Sequence, residues 1–62
     1  MENTERIELN KLIRAYKGEN GFLISIQKQL KSKYAKKIEV GKKSFKILTD
    51  KQYEVAKLVL EV

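Results

Sequence analysis

Apolar residues along this 62-residue chain follow a helical period at both ends and an alternating period in between. Leu9, Leu12, Ile13 and Tyr16 recur at i, i+3, i+4 and i+7, which gathers them on one face and predicts a helix from about Thr4 to Lys17. Glu2, Glu5 and Glu8 lie toward its start and Lys11, Arg14 and Lys17 toward its end, matching the sign of the helix macrodipole. Gly18, free to take positive φ, is expected to stop it. Asn20 is a good N-cap for a second helix, able to accept from the amide of Phe22 or Leu23. That helix is expected to carry Phe22 or Leu23, Ile26, Leu30 and Tyr34 on one stripe and to end near Lys36 or Lys37.

Between Ile38 and Leu48 the period falls to two. Ile38-Glu39-Val40 and Phe45-Lys46-Ile47 alternate around Gly41-Lys42-Lys43-Ser44, which reads as a hairpin with a four-residue loop. A lone two-stranded ribbon is barely stable in water, so Ile38, Val40, Phe45 and Ile47 should pack on the helices. Thr49 and Gln52 then have capping-box spacing, with Leu48 and Tyr53 at the positions of a hydrophobic staple. The helix they start is expected to turn Val55, Ala56, Val59 and Val62 inward, with Leu58 and Leu60 near the edges of that face. The fold class that follows is mostly α: a compact three-helix domain with a short β-hairpin between helices two and three, in the order α-α-β-β-α. It should occupy residues 1–62 as a single small domain, with Leu12, Ile13, Tyr16, Ile26, Leu30, Val55 and Val59 at its centre.

Charge changes the picture more than overall composition does. Lys28, Lys31, Lys33, Lys36, Lys37, Lys42, Lys43 and Lys46 fall within 19 residues that contain one acid, Glu39, a surplus of seven positive charges. The other 43 residues carry six basic and seven acidic side chains, a net of −1. Concentrating like charge in this way sets up self-repulsion, which a polyanionic partner relieves. Solubility alone needs net charge, but it does not need that charge confined to one third of the chain. Lysine is a point charge suited to backbone phosphate and reads no base by itself. If about four of the eight lysines neutralise phosphates, log affinity falls with log salt at a slope of about −3 to −4. Tyr34 and Phe45 lie in the same stretch and are candidates for stacking on unpaired bases, against the ordinary alternative that they belong to the core.

Catalytic chemistry is poorly supplied. The chain has no histidine and no cysteine, which removes the usual base and nucleophile near neutral pH, the main zinc ligands and any disulfide. Its three glycines, at 18, 21 and 41, match no phosphate-loop fingerprint. No enzyme activity, metal, cofactor or small-molecule substrate is therefore expected. Met1 is followed by the polar Glu2-Asn3-Thr4-Glu5-Arg6, and no apolar run approaches the ~18 residues of a membrane span. Neither a signal peptide, a membrane helix nor a membrane partner is expected, and the location should be cytoplasmic.

The segment Phe22-Leu23-Ile24-Ser25-Ile26-Gln27-Lys28-Gln29-Leu30, followed by Leu48-Thr49-Asp50-Lys51-Gln52, resembles a pattern found in small helical accessory modules of bacteriophage recombination and repair helicases. That pattern is F-L-x-S-hydrophobic-x-x-Q-hydrophobic, then L-T-x-K-Q; in it the two helices follow closely, whereas here a lysine-rich hairpin separates them. The resemblance implies an accessory role in phage DNA transactions, in the host cytoplasm. Two functions fit the residues. One is a small non-catalytic protein that binds nucleic acid without sequence preference through its lysine-rich face. The other is an interaction module, such as a phage-encoded inhibitor or adaptor, whose basic face covers an acidic site on a host or helicase partner.

Overall fold

A computed structural model describes residues 1–62. Helix α1 spans Asn3–Ala15 and α2 Gly21–Lys31; strands β1, Lys36–Val40, and β2, Lys43–Ile47, form an antiparallel pair; helix α3 spans Asp50–Leu60. The order is α-α-β-β-α, as the periodicities require.

The start signals of the second and third helices act as written. Asn20 accepts from Leu23 N–H at 3.1 Å. Thr49 Oγ1 accepts from Gln52 N–H and Gln52 Oε1 from Thr49 N–H, at 3.2 and 3.0 Å, a complete capping box. The end of α1 differs from expectation. It closes at Ala15 with Tyr16 in an extended conformation, and Gly18 does not have positive φ. Gly18 leaves room instead: the Tyr16 ring folds over it, and an added Cβ would meet the ring's hydroxyl end and push it aside. That hydroxyl accepts from Asn20 N–H at 3.0 Å, and Gln27 of α2 donates to the carbonyls of Ile13 and Tyr16, both at 2.7 Å. One turn end is thus closed by a side chain from the next helix.

Helix α2 stops at Lys31, well short of Lys36. Ser32 turns extended, and its Oγ accepts from Tyr34 N–H at 3.1 Å, a local bond that competes with helix continuation. Lys36 and Lys37 enter β1 instead, paired with Ile47 and Lys46. The hairpin is correspondingly longer and its turn tighter than expected. Lys43 and Ser44 pair with Val40 and Glu39, which leaves the two-residue loop Gly41-Lys42. Gly41 has φ +65 and Lys42 does not share that sign, the pattern of a type II′ turn with glycine in first place.

The core consists of Leu9, Ile13, Leu23, Ile26, Leu30, Leu48, Tyr53 and Ala56, with Tyr16, Phe22 and Leu60 packed against it. This corrects the expected centre at both outer helices: Leu12 and Val59 are exposed and Val55 is half-buried. The cause is a polar network. The Tyr53 hydroxyl accepts from Leu48 N–H at 3.0 Å and donates to Asn10 Oδ1 at 2.8 Å, while Asn10 Nδ2 donates to the carbonyl of Lys46 at 2.7 Å. Satisfying those buried groups rolls α1 toward Asn10 and α3 toward Tyr53, Ala56 and Leu60, and leaves Leu58 and Val62 outside. Ile38, Val40, Phe45 and Ile47 share one face of the hairpin and are half-buried; the ribbon is anchored by β2 packing on α1.

Candidate nucleic-acid interface

The eight lysines divide among α2, the α2–β1 connection and the hairpin, which follow one another along the chain. Lys28 and Lys31 are three apart on α2 and lie away from its buried side of Leu23, Ile26 and Leu30. Lys33 sits in the α2–β1 connection with Nζ 5.2 Å from the centre of the Tyr34 ring. Lys36 and Lys37 belong to β1, Lys42 to the turn, and Lys43 and Lys46 to β2. All but Lys46 are exposed, and Lys46 is half-buried.

Strand register decides how the hairpin displays its charge. Directly opposed residues share a face, so Lys37 stands across from Lys46, beside the pair Glu39 and Ser44, on the polar face. Lys36 and Lys43 fall at opposite ends of the apolar face, and Lys42 caps the tip. Positive charge therefore borders both faces of the ribbon. Opposed like charges with Cβ atoms about 5 Å apart disfavour the pairing they sit on.

One acid, Glu39, stands beside Lys37 on the polar face and offsets only part of that charge. The ion pairs of the molecule are Arg6–Asp50, at 2.9 Å, and Glu5–Lys57, both joining α1 to α3. None of the eight lysines takes part, and Glu39 makes no ion pair either. The hydrogen bond from Lys57 holds the Glu5 carboxyl below its ordinary pKa, and that from Arg6 does the same for Asp50. Two of the carboxylates are thereby committed between α1 and α3, and the hairpin lysines are left without an ion-pair partner.

Tyr34 and Phe45, the two aromatic candidates, differ in setting. Phe45 is half-buried across from Ile38, whereas Tyr34 is 83% exposed. Tyr34 forms one lip of a groove of about 230 Å³ between the C-terminal end of α2 and the start of α3, lined also by Gln29, Ser32, Lys36, Leu48 and Thr49. Gln29 and Gln52 brace that side, exchanging amide hydrogen bonds of 3.3 and 2.9 Å between α2 and α3.

No family model, no curated protein and no solved structure matches this chain. The site is therefore read from its own chemistry. No three groups among His, Cys, Asp and Glu gather where they could hold a metal ion, and no helix is long and apolar enough to cross a membrane. The lysines are evident in the sequence, but their pairing is not. The Lys37–Lys46 opposition follows from the two-residue turn, and the signal that fixes it is Gly41 at a hairpin's first central position.

Proposed function

We propose that this chain is a non-catalytic accessory protein that binds nucleic acid through the lysines of α2, the α2–β1 connection and the hairpin, contacting phosphate and reading little sequence. The observation that carries this reading is the Lys37–Lys46 pair: two ammonium groups opposed across a marginal two-stranded ribbon, with no carboxylate paired to either. A polyanion relieves that repulsion on binding. Repeating phosphates suit ammonium groups spread over a helix, a connection and a ribbon, because each lysine needs one anionic oxygen and no fixed fork geometry. The motif resemblance in α2 and α3 supports a setting in phage DNA metabolism, in the host cytoplasm.

Mobility shift at low salt tests the reading. Wild type should retard nucleic acid of unrelated sequences alike, and replacing Lys42, Lys43 and Lys46 together with Gln should weaken binding at least tenfold. Unchanged binding by a folded triple variant would overturn the assignment of the site. A second reading has its own support: Leu12, Leu58 and Val62 expose apolar surface on α1 and at the end of α3, which suits a protein partner. On that reading the basic face covers an acidic protein surface. Absence of any nucleic-acid shift, with capture of an acidic host protein that the triple variant loses, would favour it.

A further inference from the structure

Of the five aromatic side chains, Tyr53 is buried, Tyr16 and Phe22 pack against the core, and Phe45 is half-buried across from Ile38. Tyr34 stands apart at 83% exposure. A domain this small buries a modest share of its surface, so an aromatic ring left outside forfeits a sizeable contribution to stability. Local structure holds it there. Ser32 Oγ accepts from Tyr34 N–H, and the Ser32 carbonyl accepts from Ala35 N–H at 3.3 Å, which fixes the turn that presents the ring.

The surroundings of the ring specify a ligand. Lys33 lies over it and Lys36 lines the adjoining groove, placing ammonium groups on either side in sequence. Inside the groove, the hydroxyls of Ser32 and Thr49 each accept a backbone N–H, which leaves their O–H protons free to donate. A flat exposed aromatic surface, nearby cations and hydroxyls able to donate along the groove together match a nucleobase with its neighbouring phosphates. In a duplex the base faces are covered by their neighbours, so only an unpaired base can lie on the ring.

We infer that Tyr34 and the groove of Ser32, Lys36 and Thr49 form a stacking subsite for an unpaired nucleobase, and that the preferred ligand is single-stranded nucleic acid. This rests on the nucleic-acid reading above and adds the strand type. The Lys33 ammonium, now over the ring, moves to a phosphate when a base takes its place.

Fluorescence anisotropy with labelled strands of about 15 nucleotides, long enough to span a typical single-strand site, tests it against a matched duplex and an abasic strand of equal length. Wild type should bind the base-bearing single strand about tenfold or more tighter than the abasic strand. Tyr34→Ala should abolish that preference, bringing the base-bearing single strand down to the affinity of the abasic strand. Tyr34→Trp should keep the preference, and its fluorescence, in a chain with no other tryptophan, should be quenched by the single strand. An unaltered preference in Tyr34→Ala, or no quenching in Tyr34→Trp while lysine-dependent binding persists, overturns the stacking subsite and leaves phosphate binding intact. Failure of every strand to bind wild type at low salt removes both.

Discussion

Asn10 and Tyr53 show how one polar pair can set the orientation of two helices. Burial raises the Tyr53 pKa above its ordinary value of 10.0, because the phenolate would lose water that the Leu48 amide only partly replaces. Removing the hydroxyl in Tyr53→Phe strands the Leu48 N–H and Asn10 Oδ1, and should cost about 1–3 kcal/mol at neutral pH. A folded-state pKa above the unfolded one makes the tyrosine's contribution complete below pH 10 and progressively lost as pH rises through the folded value. The stability gap between wild type and Tyr53→Phe should therefore narrow above pH 10, with lysine titration common to both proteins. Denaturant melts at neutral and strongly alkaline pH check this, and a gap of constant size would contradict it. Sequence periodicity could not foresee the network: it ranks residues by polarity, and a buried asparagine whose oxygen and nitrogen both find partners looks from the sequence like any surface residue.

At the scale of elements, local signals were legible where one residue acts on its own backbone. Asn20 and the Thr49–Gln52 box start their helices as their chemistry dictates. Signals that depend on a partner elsewhere were not. Ser32 ends α2 early because its hydroxyl binds Tyr34 N–H and because Lys36 and Lys37 gain strand partners in β2. Gly18 serves the Tyr16 ring, and Gln27 closes α1 from another helix. The candidate site was legible as composition; its arrangement awaited the register. That register makes the hairpin the element where function and stability oppose each other. Lys37→Thr removes the like-charge opposition and favours the strand, so it should stabilise the fold by about 0.5 kcal/mol. It should at the same time weaken nucleic-acid binding severalfold. Thermal melts and anisotropy on the same variant measure both; a gain in stability with full binding retained would mean that Lys37 serves only solubility.

The whole molecule separates its charges by use. Carboxylates Glu5 and Asp50 join α1 to α3, while α2, the connection and the hairpin leave eight ammonium groups unpaired. The molecule measures 34 × 23 × 19 Å, several times the Debye length of about 8 Å at physiological salt, so only near neighbours such as Lys37 and Lys46 feel one another strongly and the others act as separate phosphate contacts. Leu58, on the outer side of α3, and Val62, just beyond its end, stay outside the core, while Tyr53, Ala56 and Leu60 occupy the helix's inner face. The claim on which the account depends is that the unpaired lysines take the place of counterions on a nucleic-acid backbone. Its most direct test is the dependence of the binding constant on salt. With about four phosphates neutralised, log K against log salt should be linear with a slope of about −3 to −4, and should flatten in the Lys42, Lys43, Lys46→Gln variant by roughly one unit for each phosphate no longer neutralised. A slope near zero, or one that the triple replacement leaves unchanged, would contradict the account.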